Sequence, residues 1–324
     1  MKPTIEKAVA DVFDNRLQGS ATYALEQCPE RPIDLTAISR GNRKQTAVAR
    51  FADRDPIVVQ LCDTPRWLEP EAILLDCLVD RTTVPIPPVY TSGTVDDVAY
   101  LLTEYVTGDD LHTRFTDLDA ARKRSITYYL GETLAKLHET FRFDGYGRLV
   151  VADGSLVASR DEWTDWFTEY GFEALRRLPE AFEPLRTESE TLVRDLTPEQ
   201  DPPAHLYPWD FRPGNMLIED GTVTAIVDWE APCAGPPSLS VAKAEYLSAD
   251  WYGTSPDRLR SAFKQGYSSI RPYPAIHPAH RVVAIAESAV DSNGVVTNPR
   301  YPELEGDEAV AFHRQQIEAI VHSY

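Results

Sequence analysis

Lysine is scarce in this 324-residue chain: seven lysines stand against 25 arginines, and Asp and Glu together number 51. The resulting formal net charge of −19 argues against nucleic-acid binding, which needs a cationic surface. Cysteine is equally sparse. Cys28, Cys62, Cys77 and Cys233 are scattered, with no C-x-x-C pair, so neither a zinc site nor a disulfide framework is expected. No stretch approaches the ~18 consecutive apolar residues needed to span a bilayer. No Gly/Ser linker, internal repeat or low-complexity tract is present either. The N-terminal segment reads as a short amphipathic helix containing acids, not as a signal peptide, so a cytoplasmic location is expected. The acids are spread along the whole chain. An acid-rich, lysine-poor surface suits a protein adapted to concentrated salt, where the Debye length shrinks to ~3 Å at 1 M. An acidic groove for a cationic substrate is the competing reading.

What is present is a composition that is 43% hydrophobic and 26% charged, enough apolar material for two modest lobes. The most informative stretch is Tyr207-Pro-Trp-Asp-Phe-Arg-Pro-Gly-Asn215, followed by Asp228-Trp-Glu230. Asp210 precedes Asn215 on a loop broken by Pro213 and Gly214. Between Asn215 and Asp228, two apolar runs flank an Asp220-Gly221 turn, a strong hairpin signal. Folding that hairpin is expected to bring Asn215 and Asp228 to the same open end. A carboxamide oxygen and a carboxylate so placed suit a hard divalent cation such as Mg2+. Asp210, on the loop before them, is placed to orient an attacking hydroxyl.

The N-terminal half reads as strands at Leu35–Ile38, Thr46–Phe51 and Ile57–Cys62. The loop between the first two carries Gly41 and the cations Arg40, Arg43 and Lys44. Such a loop can cover nucleotide phosphates, or be an ordinary polar turn. Leu68–Val79 reads as a helix with Glu71, Leu74, Leu75 and Leu78 on one face, so Glu71 needs a partner if buried. Gln60 on the third strand can donate hydrogen bonds to a phosphate and to Glu71. Thr82–Tyr90 is a proline-stiffened extended crossing, and 97–106 alternates as a strand before Thr107-Gly108. In the C-terminal half, Ile126, Leu130, Leu134, Leu137 and Phe141 mark a long helix over 119–141, with His138 beside the stripe. Helical stretches follow at 161–196, 239–252, 258–267 and 308–321. The aromatics Trp166, Tyr170, Trp209, Trp251 and Tyr252 are either core or a platform for a cation or a sugar.

The Asp-x4-Asn loop, the hairpin and Asp-Trp-Glu together resemble the core of the aminoglycoside phosphotransferase and choline kinase group, small-molecule kinases with the protein-kinase-like fold. The acid-rich surface suggests a haloarchaeal-type, halophilic member. The resemblance covers about residues 34–270 and implies an α+β, two-lobed architecture. Residues 1–106 would form a small antiparallel sheet with one helix, and 107–324 a larger, mostly helical lobe. It implies Asp210 as catalytic base, Arg212 near the transferred phosphoryl, and Asn215 and Asp228 as Mg2+ ligands. Arg40, Gly41, Lys44, Gln60, Glu71, Glu104 and Val106 would bind the nucleotide, the last two at the hinge that meets the base. ATP or GTP would be the co-substrate, and a small-molecule hydroxyl the acceptor. Two positions depart from the pattern: Gln60 stands where a lysine normally pairs with Glu71, and Pro208 replaces a histidine. Arg40, Arg43 and Lys44 are candidates for the missing cation. These departures motivate an alternative, a nucleotide-binding pseudokinase that senses or scaffolds. The acceptor's identity and the oligomeric state are not encoded in any motif.

Overall fold

The computed structural model describes residues 5–38, 43–196, 200–252, 255–300 and 302–323. The chain divides into two compact units. One comprises Met1–Gly108, Val150–Leu156 and Thr224–Ala231; the other comprises Asp109–Leu149, Val157–Val223 and Pro232–Tyr324. The single division near 106 expected from sequence takes no account of the two later segments that group with the first unit.

The first unit is built on an antiparallel sheet. Helices α1 (Ile5–Val12) and α2 (Gln18–Glu26) precede strands β1 (Asp34–Ile38), β2 (Gln45–Arg50) and β3 (Ile57–Cys62). Helix α3 (Glu69–Arg81) then leads to β4 (Val89–Val95) and β5 (Val98–Glu104). The sheet order is β1-β2-β3-β5-β4. Alternation sets the faces: Ile57, Val59 and Leu61 of β3 are buried, while Val58 and Gln60 are only partly so. Val9 and Leu25 of the N-terminal helices, with Phe13 and Leu17 of the segment between them, pack with Val59, Leu61 and Leu102 to form the core. On α3, Glu71, Leu74, Leu75 and Leu78 are all buried, as their helical spacing requires.

The second unit is mostly helical. It begins with β6 (Asp109–Asp110), α4 (Leu111–Arg114) and α5 (Ala120–Thr140), the last capped by the Asp119 side chain on the Arg122 amide. Strands β7 (Arg142–Phe143), β8 (Tyr146–Ala152) and β9 (Ser155–Arg160) precede α6 (Trp163–Arg177) and α7 (Glu183–Asp195), which are separated at Pro179. Next come β10 (Ala204–Tyr207), β11 (Met216–Glu219), β12 (Thr222–Ile226) and β13 (Cys233–Gly235). Strand β12 carries the chain from the second unit into the first. The chain closes with α8 (Pro237–Glu245), α9 (Pro256–Ser268), α10 (Pro278–Ala289) and α11 (Asp307–Val321).

Helices α5 and α9 approach so closely that only glycine fits at the crossing. A Cβ on Gly131 would lie 2.1 Å from the Phe263 carbonyl oxygen, and one on Gly266 would lie 1.9 Å from that of Tyr128. A sheet of order β7-β10-β13-β8-β9 holds β10 between two partners. Strand β10 is buried along its whole length and delivers the chain into the loop that follows.

Candidate active site

In the second unit, the loop after β10 folds into a short 3-10 turn over Pro213–Asn215, closed by the Asn215 amide donating to the Arg212 carbonyl at 3.1 Å. Gly214 is needed here because a Cβ would lie 2.5 Å from the Tyr252 hydroxyl. Within this turn, Asn215 Nδ2 donates both to the Asp210 carbonyl (2.8 Å) and to Asp210 Oδ2 (2.9 Å). Those two bonds fix the amide's orientation and turn its oxygen away from the aspartate. Arg212 Nε donates to the same Asp210 Oδ2 at 3.0 Å, and Arg212 also hydrogen-bonds the Tyr252 hydroxyl. Asp210 Oδ1 accepts no hydrogen bond from the described residues and is left for another donor. Burial pushes the Asp210 carboxyl up, but the charges of Arg212 and Lys243 and the hydrogen bonds from Asn215 and Arg212 outweigh it. The group is held below the usual carboxylate range and stays ionised. Arg212 therefore braces the aspartate, a contact the sequence reading did not foresee.

Neither nearby histidine takes the place of the one displaced by Pro208. His205 is buried and its Nδ1 bonds the His138 carbonyl. His138 is itself buried between the Tyr267 hydroxyl (2.8 Å) and Ser240 Oγ (3.2 Å). Both are packing residues. Of the aromatics, Trp166 stacks on Tyr170 with centroids 5.1 Å apart, and the Tyr252 hydroxyl bonds His112 Nδ1 at 2.9 Å. Trp209 Nε1 donates to the Tyr170 hydroxyl (3.2 Å) and to Glu287 Oε2 (3.3 Å).

In the first unit, Lys44 is the organising charge. It lies at the entry to β2, is buried, and places Nζ 2.8 Å from Glu71 Oε2 and 2.9 Å from Asp228 Oδ1. Glu230 Oε2 lies 3.8 Å away, and Glu230 Oε1 accepts from Arg43 at 3.0 Å. The other oxygen of Glu71 accepts the Trp229 backbone amide at 3.2 Å, which ties α3 to the Asp-Trp-Glu segment. Trp229 is buried and its indole N–H donates to the Ile226 carbonyl at 2.9 Å. Asp228 itself takes a left-handed backbone conformation, φ 60°, which aspartate tolerates better than most side chains.

Burial opposes the Lys44 charge, but Asp228, Glu71 and Glu230 overcome it and keep the ammonium protonated well beyond the normal range. Burial and the neighbouring Asp228 push the Glu230 carboxyl up to about 7 despite Lys44 and Arg43. Three carboxyl groups thus share two cations, and Glu230 is the one that takes up a proton near neutral pH. Gln60, placed opposite Thr46 in the β2–β3 ladder, makes no hydrogen bond to Glu71 among the described residues. The partner of Glu71 is Lys44, just before the second strand, not a residue of the third.

Each unit presents an oxygen of the kind that Mg2+ takes. Asp228 has a 40% exposed side chain with one oxygen on Lys44, and Asn215 has a free carboxamide oxygen. Mg2+ takes one or two protein oxygens and completes its octahedron with phosphate oxygens and water. Among the described residues, no cluster of three or more His, Cys, Asp or Glu side chains forms an all-protein metal cage. Arg40 and Gly41 lie outside the described residues. Glu104 ends β5 with its amide on the Pro88 carbonyl (2.9 Å), and Val106 follows beyond the strand. Two candidates were missed from sequence: Lys243 and Glu287 are buried charged residues on α8 and α10, and neither belongs to a motif that marks it.

No helix among the described residues is long and apolar enough to cross a membrane, and none of the four cysteines is in a disulfide. Residues 34–280 match the profile of the phosphotransferase enzyme family. No curated protein sequence matches the chain. Among solved structures, it is similar to aminoglycoside phosphotransferase APH(4)-Ia at a TM-score of 0.66 and 14% identity, over 95% of this chain and 98% of that one. A thermostable mutant of the same protein, in ternary complex with AMP-PNP and hygromycin B, matches at 0.64 and 16%, over 93% and 97%. Macrolide 2'-phosphotransferase MphH from Brachybacterium faecium matches at 0.56 and 17%, over 94% and 98%. At these identities the likeness speaks for the fold: an antiparallel N-terminal sheet followed by a helical part.

Proposed function

The chain belongs to the phosphotransferase enzyme family, and from that premise we propose that it moves the γ-phosphoryl of ATP or GTP to a hydroxyl of a small molecule. One observation carries the reading: Asp210 has one oxygen locked by Arg212 and Asn215 and the other free. That free oxygen is suited to receive an acceptor hydroxyl and orient it for attack. A carboxylate of low basicity is adequate, because phosphoryl transfer asks for positioning and for late proton acceptance. Lys44, held by Glu71, is the cation for the nucleotide's phosphates. Asp228 in the first unit and Asn215 in the second are the candidate metal ligands. Mg2+, when bound, neutralises charge on the transferred group. Arg40 and Gly41 are candidates for the loop over the phosphates, Gln60 for a neutral hydrogen-bond donor to them, and Glu104 and Val106 for contacts to the base.

The alternative of a nucleotide-binding sensor without turnover drew its strength from Gln60 and Pro208. Lys44 supplies the charge that Gln60 lacks, so turnover is the favoured reading. Two measurements test it: thermal stabilisation by Mg-ATP at high salt, and ATP consumption against a panel of hydroxylated metabolites. The expected result is stabilisation together with acceptor-dependent turnover. Asp228→Ala should abolish the Mg2+-dependent part of the stabilisation while leaving the protein folded. Stabilisation without turnover on any acceptor would favour the sensor, and no stabilisation would end the kinase reading.

A further inference from the structure

The second unit contains a buried cation that no carboxylate neutralises directly. Lys243 on α8 is 2% exposed, and its ammonium lies 3.8 Å from the centroid of the Trp209 ring. Trp209 immediately precedes Asp210. The carboxylates that act on Lys243 most strongly are Glu287 and Asp210. Each already has an arginine: Arg177 binds Glu287, and Arg212 binds Asp210. Among the described residues, Lys243 Nζ has neither a hydrogen bond nor an ion pair. Three cations therefore face two anions around the Trp209 indole, leaving one positive charge in surplus.

A buried charge without an anion is costly, and stacking on an indole face offsets only part of that cost. Burial lowers Lys243 to about 8, so it remains mostly cationic at neutral pH. The surplus adjoins the residue proposed to receive the acceptor hydroxyl. In a low-dielectric surround, it acts on any group brought up beside Asp210 even without contact. The −19 charge of the whole chain does not cancel this, because exposed charges beyond about 8 Å are screened at physiological salt.

We propose that Lys243 is a specificity-determining residue, selecting acceptors that carry a carboxylate near the reacting hydroxyl, the class of polyhydroxy acids. The inference rests on the phosphotransfer reading and narrows it. An amine-bearing acceptor would instead bring a fourth cation to this place. Trp209 contributes by holding the ammonium on its ring face while its own N–H is anchored to Tyr170 and Glu287.

Gluconate, glucitol and 1-amino-1-deoxyglucitol share one six-carbon polyol skeleton and differ in charge at carbon 1, so they serve as probes. Their affinities are measured calorimetrically on the full chain with Mg-ADP present. Gluconate should bind about tenfold or more tightly than glucitol, with the amine weakest, as expected for a partly desolvated unit charge. Lys243→Met should collapse the gluconate preference to within about threefold, and Lys243→Arg, which keeps the charge on the ring face, should retain part of it. Glu287→Gln provides an independent variant, and by enlarging the surplus it should increase the preference. A purely structural lysine would weaken all three probes alike. Absence of a gluconate preference in the wild type overturns the proposal, and so does a preference that survives Lys243→Met. Mg-ATP stabilisation, measured in parallel, separates the two readings. If Mg-ATP stabilises but gluconate shows no advantage, the acceptor inference fails alone. If Mg-ATP has no effect, the phosphotransfer reading fails.

Discussion

Two buried lysines occupy opposite electrostatic settings. Lys44 in the first unit is surrounded by Glu71, Asp228 and Glu230, and its charge is reinforced. Lys243 in the second lies on an indole face beside carboxylates already claimed by arginines, and burial lowers it to about 8. In the first, carboxyl groups outnumber cations, and this is the proposed seat of a metal-bound nucleotide. The second carries excess positive charge and suits an anionic acceptor. The same side chain therefore plays two roles, set by how many carboxylates remain unpaired around it.

The comparison breaks most readily at Lys44. Lys44→Met leaves three carboxylates with Arg43 alone, and removing one partner of a buried pair costs about 3–5 kcal/mol. Chemical denaturation should show that loss, and adding Glu71→Gln should recover part of it. Equal stability of Lys44→Met and wild type would show that the cluster is not held by this charge.

A smaller effect sharpens the contrast. All seven histidines of the chain fall within the second unit. His280 is buried with neither ring nitrogen hydrogen-bonded, and burial lowers it to about 3; His313 is lowered to about 4. A histidine whose folded pKa lies below its unfolded value binds more protons when unfolded. Stability is therefore lost as pH falls from about 6.5 toward those values. For His280 alone the loss by pH 5 is roughly 2 kcal/mol. His280→Leu should flatten the fall between pH 7 and 5 by that amount in a denaturation series. An unchanged pH slope would contradict the burial argument.

The sequence revealed what depends on local pattern. Apolar runs bounded by polar turns located β1, β2 and β3, alternation located β5, and helical spacing placed Glu71 on the buried face of α3. The Asp-Gly turn was legible because Asp220 and Gly221 take the positive φ values that a tight hairpin demands. Strand β4 was missed because Val-Tyr-Thr-Ser-Gly-Thr-Val is half polar and broken by Gly93. Helix α10 was missed because it is buried on nearly all sides and shows no polar face to mark a period. The pairing of Glu71 was only partly legible. Lys44 was visible as a loop cation, but its reach to Glu71 depends on how β2 enters the sheet. The surroundings of Lys243 are assembled from Trp209, Glu287 and Arg177, which lie far apart along the chain, and no local pattern announces them.

The central claim is that Asp210 orients the acceptor for phosphoryl transfer, and the most direct test is turnover by Asp210→Asn with an acceptor the wild type uses. Transfer should slow by about 100-fold or more while Mg-ATP still stabilises the protein to the same extent. Turnover at the wild-type rate would contradict the account.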